Sequence, residues 1–277
     1  MWRQLQSIEG GQLMTDLTTI FKNHKAFIAF VVAGDPNFEA TVDQVVALAE
    51  AGCDLVEIGI PFSDPVADGP EIQAADLRAF DQHITPQRVF ELVVAIREKT
   101  TIPLVFLTYA NIVYQFGYAA FAQQCQSLNV AGLIIPDMPL EASGELRPTL
   151  DHYGIALIPL IAPTSDDARI AAIAQQARGF IYVVSSLGVT GTRRHITTDL
   201  ATLVAKIRHA TTLPVAIGFG IHEPAQAQAM AQIADGVIVG SAVVHLIATH
   251  QPATAVLRDY TRRMRRALDG RTADTVD

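Results

Sequence analysis

Residues 56–70 read VEIGIPFSDPVADGP, a stretch that begins as an apolar strand and ends in a loop rich in Gly, Pro and Asp. Glu57 is a carboxylate inside the apolar run, and a carboxylate in that setting is costly unless it has a partner or a task. The loop brings a second carboxylate, Asp68, back toward the end of the strand. Two carboxylates in differently solvated settings are a recurring arrangement for acid–base chemistry.

Similar apolar runs recur along the chain and alternate with amphipathic helical patterns. We predict strands at 27–33, 55–60, 104–109, 132–137, 156–161, 180–185, 215–219 and 237–240. We predict helices at 41–51, 86–99, 118–128, 142–152, 166–177, 198–209, 224–232 and 253–268. Most of the strands are apolar on both faces, which is typical of a parallel sheet that is covered on both sides.

Eight strand–helix repeats without a dividing linker predict an α/β fold, a single (β/α)8 barrel over residues 1–277. We expect residues 1–25 to form an extra N-terminal helical cap below the barrel and residues 269–277 to be a frayed tail. A doubly wound open sheet is the alternative architecture. No GxGxxG loop follows the first strand, which disfavours it.

Composition limits the classes of function. The formal net charge of −8 argues against a nucleic-acid-coating surface. The sequence has no membrane-length apolar run and no signal-peptide pattern, so we expect no membrane association. Cys53 and Cys125 form no metal motif, and two such thiols indicate a reducing, cytoplasmic setting.

In a barrel of this type, functional groups lie at the carboxyl ends of the strands. Clusters of glycine follow strands six, seven and eight, and the last runs into the start of a short helix. Glycine lets backbone N–H groups approach an anion, and a helix start adds unsatisfied donors. We therefore predict a phosphate site at Gly191, Gly220, Gly240 and Ser241. A single glycine also permits a tight turn, but three neighbouring clusters favour phosphate.

The chemistry of the candidate site depends on groups other than lysine or a metal. None of the four lysines, Lys22, Lys25, Lys99 and Lys206, falls at the carboxyl end of a strand, as a Schiff-base aldolase requires. The eight histidines form no HxH pair or helix-spaced cluster, so we expect no metal site. His195 and His222 lie near the glycine loops, and we expect neither to contact substrate.

The chain resembles the tryptophan synthase alpha subunit family. The match includes residues 56–70, Tyr109-Ala110-Asn111, 136–139, 188–191, 218–221 and 240–242, and extends in collinear order over about residues 26–245. The resemblance implies a retro-aldol lyase of tryptophan biosynthesis that cleaves indole-3-glycerol phosphate to indole and glyceraldehyde 3-phosphate. It also implies an α2β2 complex with a beta subunit that carries pyridoxal phosphate, while the alpha subunit has no cofactor of its own.

The resemblance also assigns roles to individual residues. Glu57 is implied to be the main acid–base group, protonating C3 of the indole, and Asp68 to accept the indole N–H. The implied substrate-binding residues are Tyr182 beside Glu57, Phe30, Leu107 and Phe219 in the pocket, and Thr190 in a closing loop. The implied partner interface includes Pro61, Asp64 and Pro139.

Three alternatives remain open at this point. One is a stand-alone lyase with the same site and no beta subunit. Another is a different sugar-phosphate barrel, such as an epimerase or isomerase, which the long motif at residues 56–70 disfavours. The third is a non-catalytic activator of a beta subunit, which would not need both Glu57 and Asp68.

Overall fold

The computed structural model describes residues 14–184, 193–218 and 220–270, and of residues 193–198 it describes only the backbone. The strands are Ala26–Val32 (β1), Leu55–Gly59 (β2), Leu104–Leu107 (β3), Val130–Ile134 (β4), Ala156–Leu157 (β5), Leu160–Ile161 (β6), Ile181–Val184 (β7), Val215–Gly218 (β8) and Gly236–Val239 (β9). The α-helices are Phe38–Glu50 (α1), Pro70–Asp81 (α2), Pro86–Arg97 (α3), Ala110–Phe116 (α4), Tyr118–Ser127 (α5), Arg147–His152 (α6), Asp167–Gln176 (α7), Arg193–Ala210 (α8), Pro224–Ala231 (α9), Ser241–Thr249 (α10) and Thr254–Leu268 (α11).

The strands form one parallel sheet with the order β5-β4-β3-β2-β1-β9-β8-β7-β6. The predicted fifth strand is split, since β5 pairs with β4 and β6 pairs with β7. Between the halves, the Ile158 N–H donates to the Leu133 carbonyl, and the Tyr182 N–H donates to the Pro159 carbonyl. Pro159 has no N–H for a ladder, so the regular strand is interrupted there. The two halves close the sheet into the predicted eight-stranded barrel.

Two helices follow strand ends at which the sequence reading placed only loops. Helix α2 begins at Pro70 directly after the Asp68 loop, and α4 begins at Ala110 after Tyr109. Proline is well suited to the first turn of a helix because the N–H that it lacks has no partner there. The motif at residues 56–70 therefore ends at a helix start, and α2 determines where the loop that carries Asp68 ends.

The predicted N-terminal cap is described only from Met14 onward, and there it forms a 3₁₀ helix, Leu17–Phe21. Leu17 and Ile20 join a buried cluster with inward-facing strand residues such as Ile28 and Leu55. Side chains two residues apart in a strand share a face, so Glu57 faces the same side as Leu55. Apolar packing thus fills the lower barrel. Residues 1–13 and 271–277 lie outside the described residues.

Candidate active site

A cavity of about 220 Å³ opens at the carboxyl ends of the strands. Its walls combine apolar side chains, two carboxylates, a tyrosine and three glycine-containing loops. The lining residues used below are Phe30, Glu57, Asp68, Ile72, Leu107, Tyr182, Gly220, His222, Gly240, Ser241 and Ala242. The cavity therefore brings together side chains from β1, β2, β3 and β7 with the loops after β8 and β9.

Glu57 extends from the middle of β2 into this cavity and is almost completely buried, with 1% of its surface exposed. Its Oε1 atom has no hydrogen-bond partner. Burial raises the pKa of Glu57 to about 8, because removing a carboxylate from water disfavours its charged form. The group therefore holds its proton at neutral pH and can act as a general acid.

Asp68 reaches the cavity from the loop after β2 and is held by Tyr109. The Tyr109 hydroxyl donates to Asp68 Oδ2 at 2.7 Å and accepts from the Ala67 N–H at 3.1 Å. The Tyr109 ring stacks on Phe62 with 4.8 Å between ring centroids. Burial raises the pKa of Asp68, while the Tyr109 hydrogen bond opposes that rise. Tyr109 is thus a positioning residue for the loop carboxylate, a role that the sequence reading did not assign to it.

Tyr182 lies on the opposite wall and presents its hydroxyl near strand β8. A Cβ atom at Gly218 would lie 2.5 Å from the Tyr182 hydroxyl oxygen, so the absence of a side chain at position 218 makes room for this tyrosine. Burial, followed by the negative charges of Glu57 and Asp68, raises the pKa of Tyr182 well above its usual range. Tyr182 is therefore a neutral hydrogen-bond donor at physiological pH.

Phe30 and Leu107 form apolar walls beside Glu57. Phe30 pairs with Glu57 in the β1–β2 register, and Leu107 ends β3 on the other side. A Cβ atom at Gly59 would lie 2.6 Å from the Phe30 ring, so the glycine leaves the space that the ring fills. These walls keep water away from the acid and offer an aromatic ligand a flat apolar surface.

The loops after β8 and β9 form the part of the cavity suited to an anion. Gly220 has φ +76°, a backbone conformation that favours glycine. Helix α10 begins at Ser241 after Gly240, and both residues line the cavity together with Ala242. The first N–H groups of a helix have no carbonyl partner within it and are placed to bind an anion.

A second buried carboxyl, Asp76 of α2, lies behind this site. Burial, with the negative charges of Asp68 and Asp35 as further causes, raises the pKa of Asp76 to about 8. Arg78 forms two hydrogen bonds with Asp35, at 2.7 and 2.9 Å, and so compensates that third carboxylate. The carboxyl end of the barrel therefore concentrates protonatable acids, of which the sequence reading had identified Glu57 and Asp68.

The structure places eight of the predicted catalytic, substrate-binding and phosphate-binding residues around one cavity, and three lie outside the described residues. The eight are Glu57, Asp68, Phe30, Leu107, Tyr182, Gly220, Gly240 and Ser241. Thr190, Gly191 and Phe219 fall in the residues that are not described. The side chain of His195 is also not described, whereas His222 lies in the cavity wall.

The predicted partner surface is exposed in part. Asp64 and Pro139 are exposed, whereas Pro61 is buried and therefore shapes its loop without presenting a surface. Val66 and Tyr114 are apolar residues at the same end of the barrel and are 82% and 64% exposed. Exposed apolar residues that cluster at one end of a molecule are a feature of protein–protein contact sites.

The described part of the chain holds neither a cluster of metal ligands nor a membrane-spanning helix. No group of three or more His, Cys, Asp or Glu side chains within them is placed to hold a metal ion. Among the helices of residues 14–184, 193–218 and 220–270, none has the length and apolar character needed to cross a membrane.

Comparison with known proteins gives one consistent result. The family model for tryptophan synthase alpha chain matches residues 18–269. The chain is 57% identical over 265 residues to the tryptophan synthase alpha chain of Lacticaseibacillus casei, covering 95% of this chain and 99% of that protein. It is 48% identical to the tryptophan synthase alpha chain of Alkaliphilus metalliredigens, covering 81% and 84% of the two chains. The crystal structure of tryptophan synthase subunit alpha from Legionella pneumophila superposes with a TM-score of 0.85 at 32% identity, covering 93% and 99%.

Proposed function

This chain belongs to the tryptophan synthase alpha chain family, whose members are lyases that cleave indole-3-glycerol phosphate, and we propose that Glu57 and Asp68 catalyse that cleavage here. The observation that carries the proposal is the pairing of a buried acid, Glu57, with a tyrosine-held carboxylate, Asp68, around one cavity.

The reaction breaks the bond between indole C3 and the first carbon of the glycerol side chain. Glu57 first gives its proton to C3, which turns the ring into an electron acceptor, and Asp68 accepts the indole N–H as positive charge develops there. Glu57, now ionised, takes the proton of the side-chain hydroxyl. The carbon–carbon bond electrons then flow into the ring, which releases indole, and the hydroxyl carbon becomes the aldehyde of glyceraldehyde 3-phosphate.

The described geometry supports these roles in several ways. Because the pKa of Glu57 is raised to about 8, the carboxyl keeps its proton at neutral pH and can donate it. The Tyr109 hydrogen bond stabilises Asp68 in the ionised form that an N–H donor needs. Tyr182 remains a neutral donor beside both carboxyls, where it can bind a substrate oxygen. Phe30 and Leu107 would enclose the indole ring, and the Gly220, Gly240 and Ser241 backbone would bind the phosphate.

No electron-accepting cofactor is required by this scheme, because the protonated indole accepts the electrons itself. We accordingly propose that the alpha chain works without a cofactor of its own and that pyridoxal phosphate belongs to the beta partner. The cysteines Cys53 and Cys125 are free and buried, which favours a reducing compartment, and we infer a cytoplasmic location.

The family works with a beta subunit, and we propose an α2β2 complex in which the carboxyl end of this barrel faces that subunit. Asp64 and Val66 follow β2, Tyr114 follows β3 and Pro139 follows β4, and all four are exposed, so the carboxyl end of the barrel presents apolar and polar contact groups. Contact at the mouth would allow indole to pass between subunits without entering solvent.

The experiment is an assay of indole release from indole-3-glycerol phosphate by the purified chain, with and without a beta subunit. We expect the partner to increase turnover by more than about tenfold, the range of a typical coupling between sites. A chain that is equally fast alone would be a stand-alone lyase. A chain that releases no indole with its partner would refute the proposed activity.

The phosphate assignment has a separate structural test. Crystals soaked in glycerol 3-phosphate should show the phosphate against Gly220, Gly240 and Ser241. Phosphate bound elsewhere on the chain would refute this part of the site while leaving the acid–base assignment intact.

A further inference from the structure

The part of the candidate phosphate pocket that the structure describes has a deficit of positive charge. Its described lining contains two carboxyl side chains, Glu57 and Asp68, and neither lysine nor arginine. A phosphate monoester carries a charge of about −1.5 to −2 at neutral pH, and backbone N–H groups alone supply only partial charges. Among the described lining residues, His222 is the one whose side chain can become cationic.

The structure holds His222 in one place through three contacts. Its backbone N–H donates to the Gln226 side chain at 2.9 Å, and its carbonyl accepts from the Tyr260 hydroxyl at 3.0 Å. Its ring Nδ1 lies 3.0 Å from the carbonyl oxygen of Gly220. His222 is therefore tied directly to a glycine of the phosphate cradle.

The Gly220 contact settles which ring nitrogen can meet a ligand. A carbonyl oxygen only accepts hydrogen bonds, so Nδ1 must carry a proton in this arrangement. Nε2 is then a lone-pair acceptor in the neutral ring and a donor in the protonated ring. The side chain is 58% exposed, so an incoming anion can reach it.

Resting on the lyase function proposed above, we propose that protonated His222 binds the substrate phosphate through Nε2–H and makes phosphate affinity depend on pH. The hydrogen bond would be charge-assisted at both ends, which is the stronger class of hydrogen bond. The neutral ring would offer a lone pair to an anion and would contribute nothing. His222 is a binding residue in this scheme and takes no part in the proton transfers.

Several charged groups surround His222, and the experiment has to account for them. Glu223 Oε1 lies 4.0 Å from Nε2, on the same loop. From α11, Tyr260 contacts the His222 carbonyl, and Arg263 lies over the Tyr260 ring. From β2 and its loop, Glu57 and Asp68 line the same cavity. All of them remain unchanged when position 222 alone is substituted.

The test compares binding of glycerol 3-phosphate to the intact chain at about pH 6 and about pH 8.5, by calorimetry, for the wild type and His222→Asn. The phosphate of the ligand titrates near pH 6 itself, but the wild-type to variant ratio cancels that effect. At the lower pH we expect the wild type to bind glycerol 3-phosphate about tenfold more tightly than His222→Asn does. This factor corresponds to one hydrogen bond between charged groups. At the higher pH the wild type should lose this advantage, because a ring without its second proton offers the anion no donor at Nε2.

Two further variants separate charge from shape. His222→Lys supplies a fixed positive charge, so it should bind at least as tightly as the wild type at both pH values. His245→Asn is the matched control, because His245 lies on α10 next to the cradle but pairs with Glu71 outside the cavity lining. It should bind like the wild type throughout.

The outcomes are distinct from those that test the lyase. Equal affinity of wild type and His222→Asn at the lower pH overturns the proposal, as does an equal loss at both pH values, which would indicate only a role in shaping the loop. In turnover assays with the beta subunit, His222→Asn should raise KM at the lower pH and leave kcat within about twofold. The binding measurement needs no turnover, so an inactive wild type would refute the lyase and leave this test readable.

Discussion

Asp54 and Glu57 lie three residues apart on the same stretch of chain, one before β2 and one within it, and the protein surrounds them very differently. Asp54 Oδ2 accepts from the Phe27 N–H at 2.7 Å and from Arg265 at 2.9 Å, and Asp54 Oδ1 lies 2.8 Å from His24 Nε2. Glu57 has an oxygen with no partner at all.

The contrast extends to the two ends of the barrel. At the amino end, Arg265 also donates to the Lys25 carbonyl and pairs with Asp269, so α11 is fastened to the start of β1. At the carboxyl end, burial raises the pKa values of Glu57 and Asp76 to about 8 in each case. At the amino end the Asp54 carboxylate stabilises the fold through ion pairs, whereas at the carboxyl end Glu57 and Asp76 stay protonated at a cost in stability. Buried acids that keep their protons are thus the mark of the end that carries chemistry.

The largest effect expected is on catalysis by Glu57→Gln. Gln keeps the shape but has no proton to give to C3, so kcat should fall by about 10²–10⁴-fold. Indole release in the presence of the beta subunit measures the change. Glutamine at the exposed Glu91 of α3 serves as the control, and activity of Glu57→Gln near that of wild type would remove Glu57 from the mechanism.

The same variant should be more stable than the wild type, and increasingly so as pH rises. The pKa of Glu57 is about 8 in the folded chain, against 4.5 for its ordinary value, so the folded state binds more protons between those values. The free energy of unfolding of the wild type therefore decreases as pH rises through this window, and Gln removes that decrease. The advantage of Glu57→Gln should grow by a few kcal/mol, on the order of 3, between about pH 5 and pH 8.

Chemical denaturation at the two pH values measures this difference. Asp76 remains in both proteins, so its own titration cancels in the comparison. A stability difference that is the same at both pH values would show that Glu57 is ionised in the folded chain across the window, which contradicts its assignment as the acid.

Much of this contrast was visible in the sequence. Glu57 stands out because the residues around it in β2 are apolar, and the alternation of apolar strands with helices led to the barrel and hence to its carboxyl end. The glycines at 220 and 240 could be placed by the same rule, since every parallel strand of a closed barrel ends on one rim.

The partners of these residues were not visible, because they come from distant parts of the chain. Tyr109 meets Asp68 across 41 positions, and Arg265 meets Asp54 across 211. No local pattern encodes either contact. Helix α2 was missed because Pro70 closes a Pro- and Gly-rich loop, and a proline there is equally consistent with a turn and with the first turn of a helix. The sequence placed His222 near the glycine loops, and the fold adds that its side chain lines the cavity.

At the amino end, Asp54→Asn should destabilise the fold and leave catalysis unchanged. The substitution removes the carboxylate charge that pairs with the largely buried Arg265 guanidinium and leaves Arg265 with Asp269 and the Lys25 carbonyl, which should cost about 1–3 kcal/mol in the free energy of unfolding. Activity per folded molecule should stay within about twofold, because the network lies at the end opposite the cavity. Glu91→Gln breaks the exposed pair with Arg88 and should cost less than about 1 kcal/mol. A large loss of kcat in Asp54→Asn would contradict the view that the amino end serves stability and the carboxyl end serves catalysis.

The smallest effect expected sharpens the contrast inside the site itself. Tyr109→Phe removes the hydroxyl that donates to Asp68. Because this hydrogen bond lowers the pKa of Asp68, its loss should raise the pKa of Asp68 further. Since Asp68 must be ionised to accept the indole N–H, kcat/KM should fall about five- to tenfold at neutral pH, the value of one hydrogen bond to a charged group. The deficit should be larger at lower pH than at higher pH, because a higher pKa of Asp68 widens the range in which its carboxyl is protonated. Tyr153→Phe, far from the cavity, should have no effect, and a Tyr109→Phe deficit that is constant with pH would mean that the tyrosine only supports the loop by packing.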